Sequence, residues 1–413
     1  MTLFRAGRLL RLALTPRHFS VRRLFAAVVF LWALLTINAL VSCCRALDHV
    51  LFPGFKNSDV ESPIFVIANP RSGTTFMHRL MCLDEERFTF FRLWQTILPS
   101  VTLYKLVAAL SAIDSVIGRP MGRSMRALEN FAFKGWDGVH AVGLDRAEEE
   151  EFMFLVKMLT PTMFMFFPFM QDVGNVDFID QLPEERRRRV MRYYKESLRR
   201  HVYAVGGGRV ILSKNVFFAG RLNSIKETFP GARFVHLVRH PYNALPSLVS
   251  MFAAPWRAHS PEWGKTSPQH RYWTELGIAY YRAYLEHGDM IESNRFIALT
   301  YDELVADPKT TIERVYDQLE IPMSAAFTQR LRQETQRARQ YRSSHAYSLE
   351  EYGLEKREIY EALKPVFERY DFDADLDAEP STSQDNLPPS VGDEVKETEG
   401  QREPSGVHGL LPA

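Results

Sequence analysis

Residues 63–81, PIFVIANPRSGTTFMHRLM, predict the fold of this chain because they join a strand, a tight loop and a helix. A run of β-forming residues ends in Pro-Arg-Ser-Gly-Thr-Thr, and apolar residues at helical spacing follow it. Gly73 allows the backbone to approach a ligand, Arg71 supplies charge, and Thr74 and Thr75 add hydroxyl donors. Since N–H groups at the beginning of a helix attract anions, the stretch predicts a phosphate-binding loop.

This loop differs from the common nucleoside triphosphatase loop. The pattern GxxxxGK[ST] needs a first glycine and a lysine, and both are absent here. A nucleotide kinase on a related phosphate loop is an alternative enzyme class for such a chain. The chain also lacks a convincing set of carboxylates for Mg²⁺, which argues against that alternative.

The composition limits the size of the core and the kinds of ligand and partner that we expect for this chain. The 413 residues are 46% hydrophobic and 24% charged, which suits one large domain or two medium ones with ample core. The net charge of +1 gives no bulk argument for nucleic-acid binding, so we expect no nucleic-acid partner. Three cysteines cannot build a disulfide framework, and no residues have metal-ligand spacing, so we expect no metal.

The N-terminal region predicts association with a membrane. The segment 24–41, LFAAVVFLWALLTINALV, is uncharged and near the lower length limit for spanning a bilayer. Six arginines precede it, which favours a cytoplasmic N terminus for a single-pass helix. The basic, partly amphipathic segment 3–14 instead suits a monotopic helix in the interface, and a helix buried against the domain is a third possibility. We predict membrane association and leave its topology open.

The chain divides into three parts by composition. Residues 1–55 form the basic and hydrophobic N-terminal segment, and residues 56–372 form the main domain. Residues 373–413 are rich in Asp, Glu, Pro and Ser and poor in aromatic residues. Such a composition does not compensate for the entropy lost on ordering, so we expect a disordered acidic tail.

A second strand–turn–helix unit occurs at 233–252, RFVHLVRHPYNALPSLVSMF. Arg239 stands at the end of its strand and Ser247 follows eight residues later, one or two turns into the helix. Side chains placed in this way can converge on a second anion. Two such anion sites in one protein suit a nucleotide that is phosphorylated at both ends.

Together these motifs resemble the sulfotransferases that use 3′-phosphoadenosine 5′-phosphosulfate (PAPS). The first loop is similar to their 5′-phosphosulfate loop, and Arg239 with Ser247 matches the pair that holds the 3′-phosphate. Further blocks similar to the family, especially to its bacterial-type members, lie at 212–241, 295–321 and 341–354. The resemblance covers roughly residues 60–372 in the order that the family has.

The resemblance implies a fold, an activity and a set of ligand residues. The fold is a P-loop-like three-layer α/β domain, with a central mostly parallel sheet and helices on both faces, preceded by the hydrophobic helix. The activity is transfer of a sulfuryl group from PAPS to a hydroxyl, or less often an amine, with Lys214 acting on the sulfate. The implied cofactor-binding residues are Arg71, Ser72, Gly73, Thr74, Thr75, Arg239, Ser247, Arg342 and His345.

At the position of the catalytic base, this chain differs from the better-known relatives. Cytosolic members place a His two residues after the strand lysine, where this chain has Val216. The candidates here are Glu149 and Glu150, within the cluster of four glutamates at 148–151, and His140. A structural alternative for the cluster is that Asp145 and Glu148 cap a helix whose first turn holds the remaining acids.

The acceptor is expected to be a small molecule, a lipid or a carbohydrate. The aromatic segment 159–170, LTPTMFMFFPFM, either lines an apolar acceptor pocket or packs in the core, and packing is the favoured interpretation. A non-enzymatic alternative is a membrane-anchored relative that binds the nucleotide, or only a partner, after losing catalysis. The missing His after Lys214 gives this alternative its weight.

Overall fold

The computed structural model describes residues 2–132, 143–173, 176–288, 291–338 and 348–376. Its centre is a sheet of five parallel strands in the order β2-β3-β1-β4-β5. The strands are β1 (Ile64–Ala68), β2 (Phe88–Thr89), β3 (Val210–Asn215), β4 (Arg233–Val238) and β5 (Phe296–Thr300). The predicted α/β fold with a parallel central sheet is therefore confirmed.

Helices make up most of the remaining described structure. Those before β3 are α1 (Thr2–Ala13), α2 (Val21–Leu51), α3 (Thr74–Cys82), α4 (Leu93–Ile97), α5 (Val101–Val116), α6 (Pro120–Ala132), α7 (Glu151–Leu155), α8 (Met170–Val173) and α9 (Glu184–Val205). Those after β3 are α10 (Leu222–Thr228), α11 (Pro241–Ala253), α12 (Trp256–His259), α13 (Pro268–Gly288), α14 (Tyr301–Ala306), α15 (Pro308–Gln318), α16 (Ala325–Ala338) and α17 (Lys356–Tyr370). Short 3₁₀ turns connect several of them.

Strand β1 lies in the middle of the sheet, and each of its residues is buried. Its side chains alternate between two cores. Phe65 and Ile67 face a large cluster that includes α9, α11 and α13, whereas Ile64, Val66 and Ala68 face a cluster with α3 and α15. Continuous burial on both faces explains why the strand is apolar throughout. The carboxyl ends of the parallel strands meet at one edge, where the two predicted loops begin.

The hydrophobic helix α2 is longer than the segment 24–41 and runs along the domain. Its buried side chains recur at helical spacing and include Ala27, Leu31 and Leu34, which belong to the main core. Beyond residue 41 the helix continues to Leu51, and its buried Asp48 accepts from Arg200 Nε at 2.9 Å. The boundary at residue 55 divides the sequence by composition, while in the structure α1 and α2 share the core of the domain.

The C-terminal helix α17 is followed by a short stretch without regular secondary structure, which ends the described residues at 376. Tyr242 donates its hydroxyl hydrogen to the carbonyl of Ala374 at 2.9 Å, and Lys356 pairs with Asp375 at 3.1 Å. Residues 373–376 of the predicted tail therefore have defined contacts with the domain. Residues 377–413 lie outside the described residues, so the expectation of disorder there stays a prediction.

Candidate active site

The phosphate loop connects β1 to α3 at the carboxyl edge of the sheet. Gly73 precedes the first helical residue, Thr74, and has a φ of 83°, which glycine adopts at little cost. A Cβ added at Gly73 would lie 2.6 Å from the ring of Tyr301, so this position has no room for a side chain. The sequence therefore needs glycine here for two reasons, backbone conformation and close packing. Ser72, within the loop, is fully buried.

Arg71 and the second unit lie side by side. Arg71 Nε donates to Ser247 Oγ at 3.0 Å, and Arg239 Nη1 donates to the carbonyl of Arg71 at 2.9 Å. The guanidinium of Arg239 lies over the ring of Tyr301, with its carbon 4.5 Å from the ring centre. Two guanidinium groups and a hydroxyl thus converge beside the loop. Such a set suits a phosphate, which arginine binds through parallel N–H donors.

Lys214 joins the loop to the glutamate cluster. It stands near the carboxyl end of β3, and its side chain is buried on the α3 side of the sheet. Its Nζ lies 3.1 Å from Thr75 Oγ1 and 3.3 Å from Glu149 Oε1, with Glu148 Oε2 at 3.8 Å. A cation, a hydroxyl and a partly exposed carboxylate therefore meet at the beginning of α3.

Glu150 turns to the other face of β3. Its carboxylate accepts hydrogen bonds from the hydroxyls of Tyr194 and Ser213 and is buried. Burial raises the pKa of Glu150 to about 7, although the two hydrogen bonds act in the opposite direction. Because Ser213 and Lys214 are neighbours on a strand, their side chains point to opposite faces. Glu150 contacts Ser213 and Glu149 contacts Lys214, so the two glutamates lie on opposite faces as well.

Glu151 completes this buried group. Its carboxylate accepts from Arg221 Nη2 at 3.0 Å and from Asn215 Nδ2 at 2.6 Å. Helix α7 begins at Glu151, so the structural alternative in which Asp145 and Glu148 cap a helix is wrong. The physical reason is that Glu148 is drawn to Lys214, whereas Asp145 forms an exposed pair with Arg92 at 3.5 Å.

The structure brings most of the predicted site residues to one edge of the sheet. One group is Arg71, Arg239 and Ser247, and the other joins Thr75, Lys214 and Glu149; the geometry separates Glu150 from both. His140, Arg342 and His345 lie outside the described residues, so their roles stay predictions.

Sequence reasoning missed Tyr301 and Arg221. Tyr301 is the first residue after β5, and residues that follow a parallel strand reach the same edge as the phosphate loop. That position is the signal that could have identified it. Arg221 has no comparable local signal because its partner, Glu151, is 70 residues away in sequence. Within the described residues, no cluster of His, Cys, Asp and Glu has an arrangement suited to a metal ion.

Comparison with known proteins agrees with this geometry. The model of the Sulfotransferase family matches residues 63–325, which include both predicted anion sites and the glutamate cluster. The chain therefore belongs to the sulfotransferase family.

Individual relatives extend the likeness over most of the chain. Omega-hydroxy-beta-dihydromenaquinone-9 sulfotransferase Stf3 of Mycobacterium bovis is 26% identical over 366 residues, covering 86% of this chain and 88% of that protein. The crystal structure of sulfotransferase STF9 from Mycobacterium avium matches with a TM-score of 0.68 and 20% identity over 84% of this chain and 86% of that one. The structure of sulfotransferase STF1 from Mycobacterium tuberculosis H37Rv matches with a TM-score of 0.60 and 18% identity over 88% and 92%. The two structures show the same fold.

The protein is thus a sulfotransferase, and the family implies PAPS as the sulfuryl donor. This result confirms the activity predicted from the sequence. The kinase and interaction-only alternatives are set aside, since both the family and the relatives are sulfuryl-transferring enzymes.

Proposed function

We propose that the enzyme transfers the sulfuryl group of PAPS to a hydroxyl of a lipid-like acceptor, with Glu149 as the base. The observation that carries this proposal is the position of Lys214 between Thr75 and Glu149, at 3.1 and 3.3 Å. In this arrangement one cation faces both the phosphate loop and a carboxylate that is partly open to solvent.

The donor fits the residues of the two anion sites. Arg239, Ser247 and Arg71 converge in a group that suits the 3′-phosphate. The N–H groups at the beginning of α3, with Thr74 and Thr75, suit the 5′-phosphate, where the dipole of the helix favours negative charge. The close packing of Gly73 on Tyr301 keeps this loop in place.

The reaction needs a base and charge stabilisation. Glu149 accepts the proton of the acceptor hydroxyl, whose oxygen forms the new bond to sulfur while the bond from sulfur to the bridging oxygen breaks. Both electrons of that bond leave with the 5′-phosphate. Lys214 and Thr75 stabilise the charge that develops on the sulfuryl and bridging oxygens. Protein groups mainly position the reactants, as in phosphoryl transfer.

Glu149 is preferred to the other candidate bases on geometric grounds. Its side chain is 21% exposed, whereas Glu150 is enclosed by Tyr194 and Ser213 on the opposite face of β3. A base must reach the acceptor, and a fully enclosed carboxylate cannot do so. His140 is the alternative base, and the turnover of Glu149→Gln and Glu150→Gln separates it from Glu149.

A lipid-like acceptor is supported by the relative and by the N-terminal helix. The name of the Mycobacterium bovis relative gives a menaquinone as its substrate, which is an apolar molecule with a hydroxyl. The described chain has one helix, Val21–Leu51, that is long and apolar enough to cross a membrane by itself. We propose that the enzyme is membrane-associated through residues 24–41, as a single-pass or monotopic protein, and that its acceptor resides in the same membrane.

Calorimetric titration tests the donor site. We expect the full chain to prefer adenosine 3′,5′-bisphosphate over AMP, without Mg²⁺. Arg239→Ala should weaken binding of the bisphosphate by about 2–4 kcal/mol, the scale for removing one partner of a desolvated charge pair. Binding of AMP should barely change, because AMP has no 3′-phosphate.

A matched control for this titration is Arg233→Ala. Arg233 stands at the amino end of the same strand, away from the loop edge, and donates to the carbonyl of Leu319. It should leave the affinity for both nucleotides unchanged. Equal losses for AMP and the bisphosphate in Arg239→Ala would contradict the assignment of the 3′-phosphate site.

A further inference from the structure

Exposed apolar side chains are concentrated in two segments of this protein. Among the side chains that the structure describes, all the large exposed apolar ones except Tyr203 and Leu376 belong to residues 3–51 or 106–125. Helices α1, α2, α5 and α6 carry these segments, and α2 packs against both α1 and α5. We call the exposed surface of these four helices the apolar face. Concentration of this kind marks an interaction surface.

Helix α2 is fixed to the domain near both of its ends. Arg23 Nε donates to Ser260 Oγ at 2.8 Å, and Asp48 accepts from Arg200 Nε at 2.9 Å. These anchors are 25 residues apart, which corresponds to roughly 38 Å of helix. All four side chains are buried, so α2 lies along the domain and does not project from it.

The opposite side of α2 is apolar and open. Phe25 and Trp32 are each 71% exposed, and Val29 and Leu40 extend the same stripe. If α2 crossed a bilayer, the domain packed along it would have to enter the hydrocarbon core, which is about 30 Å thick and cannot solvate polar groups. A helix with one face on a domain and one apolar face open instead fits the plane of the interface.

Helices α5 and α6 carry the second exposed apolar segment, and the chain bends by 113° between them. The Asp114 carboxylate accepts from the N–H groups of Met121 at 2.7 Å and Gly122 at 2.8 Å, at the beginning of α6. This cap satisfies two helix donors without water, as insertion among lipids requires. Val116 and Ile117, at the bend, are 85% and 59% exposed. We call the region from Ile113 to Met125 the elbow.

Charge on these segments has one sign at the surface. Before Asp48 the chain has no acidic residue, and both Asp48 and the elbow's Asp114 are buried. The exposed arginines of the two segments include Arg8, Arg11, Arg22, Arg119 and Arg123. An apolar surface accompanied by exposed cations is complementary to a leaflet that contains anionic lipid.

Helix α6, which continues beyond the elbow, is connected by hydrogen bonds to the segment that carries Glu149. Glu129 of α6 accepts from the N–H of Leu144 at 2.6 Å, and the carbonyl of Leu144 accepts from the N–H of Trp94 in α4 at 3.1 Å. Leu144 belongs to the same short segment as Glu149. The segment that carries the proposed base is therefore held directly by the helix that follows the bend.

We propose that the apolar face docks on an anionic bilayer leaflet, with α2 lying in the interface and the elbow inserted, and that the lipid acceptor passes from this leaflet to Glu149. The route of the acceptor rests on the proposed function. The docking rests on the apolar face alone, so the two can fail separately.

Flotation with vesicles tests the docking. The purified full chain should float with vesicles of phosphatidylcholine and phosphatidylglycerol, and less with phosphatidylcholine alone. Val116→Asp should weaken partitioning by roughly tenfold or more, because burial of one aliphatic side chain is worth about that factor. The matched control is Leu376→Asp, which changes an exposed apolar residue outside the apolar face and should float like the wild type.

The outcomes separate docking from catalysis. Val116→Asp should bind adenosine 3′,5′-bisphosphate like the wild type, and should lose sulfation of a long-chain alcohol in vesicles but retain it with a short-chain alcohol in solution. Equal flotation of Val116→Asp and Leu376→Asp would overturn the docking, as would a wild type that self-associates through this face and does not float. If Val116→Asp loses sulfation activity equally with the long-chain and the short-chain alcohol, the proposed route of the acceptor is overturned.

Trp32 distinguishes a helix in the interface from a spanning helix. It lies at the middle of residues 24–41, so in a spanning helix it would sit near the bilayer centre, about 15 Å deep. The fluorescence of Trp32 is obtained as the difference between the wild type and Trp32→Phe. It should be quenched most by lipids brominated near the headgroup. Strongest quenching by lipids brominated near the acyl-chain ends would overturn the interfacial position.

Discussion

The two halves of the glutamate run at 148–151 lie on opposite faces of strand β3. Glu148 and Glu149 lie beside Lys214 on the side of the phosphate loop, and Glu149 keeps part of its carboxylate open. Glu150 and Glu151 lie on the other face, where hydroxyl, amide and guanidinium groups enclose them. Four identical side chains in sequence thus have two different environments.

The two environments separate the glutamates that can act on a substrate from those that can support the site. A base needs access to the acceptor and a charged form at working pH, and Glu149 has access beside a cation. Glu150 and Glu151 fix the end of β3 and the beginning of α7, so they hold the segment on which Glu149 stands.

The largest effect is expected at Glu149. Glu149→Gln should lower turnover about 10²–10⁴-fold, the usual contribution of a positioned general base, because the amide cannot accept the acceptor's proton. Affinity for adenosine 3′,5′-bisphosphate should not change, since the donor groups remain. Single-turnover sulfation of the acceptor with radiolabelled PAPS measures the effect.

Glu150→Gln is the matched control for that measurement. Its amide carbonyl can still accept from Tyr194 and Ser213, so turnover should stay close to that of the wild type. If turnover is unchanged in both variants, the base is not in this pair and His140 takes the role. A loss of turnover in Glu150→Gln alone would contradict the division between the two faces, because it would assign the base to Glu150 instead of Glu149.

The second effect is on stability and concerns Glu151. Glu151→Ala should lower the free energy of unfolding by about 3–5 kcal/mol, because it leaves the buried guanidinium of Arg221 without its carboxylate. Urea denaturation measures this change. Glu149→Ala provides the contrast, since its partly exposed carboxylate should affect stability much less. Equal destabilisation by the two variants would contradict the division.

A third effect appears in the pH dependence of stability. The pKa of Glu150 is raised from 4.5 to about 7 in the folded chain, so folding favours its protonated form. The contribution of Glu150 to the free energy of unfolding is fully present below about pH 4.5 and is lost as the pH rises through about 7. The reason is that the folded state holds this proton more tightly than the unfolded state does and must release it at the higher pH. The loss is on the order of 3 kcal/mol, since one pKa unit corresponds to about 1.4 kcal/mol.

Comparison with Glu150→Gln isolates this contribution. The difference in unfolding free energy between wild type and variant should change between pH 4.5 and 7 and level off outside that range. Asp177, whose pKa burial raises to about 6, acts in the same direction and remains in both proteins, so it cancels in the difference. A difference that does not vary with pH would show that Glu150 is not held in its protonated form.

Local patterns predicted strands β1, β3, β4 and β5, and they indicated two anion sites, which stay predictions, at the loops after β1 and β4. The strand–loop–helix pattern around Gly73 and the spacing of Arg239 and Ser247 are properties of short segments. The contact between Arg71 and Ser247 joins residues 176 positions apart, and no local pattern contains it. The faces of the four glutamates likewise depend on a nonlocal pairing, in which the N–H of Glu148 donates to the carbonyl of Phe91. The attachment of α2 to the domain is also nonlocal, since Asp48 pairs with Arg200, 152 positions away.

The smallest effect is expected at Asp145, where the local interpretation and the structure differ. A residue that caps a helix would stabilise it without Arg92, whereas the structure has Asp145 and Arg92 as an exposed pair, with side chains 82% and 53% exposed. A double-mutant cycle with Asp145→Ala and Arg92→Ala should give a coupling of about 0.2–1 kcal/mol that disappears in 1 M salt. Destabilisation by Asp145→Ala that persists in the Arg92→Ala background and in high salt would restore the capping role. In that case the beginning of α7, and with it the division of the glutamates, would have to be placed earlier in the chain.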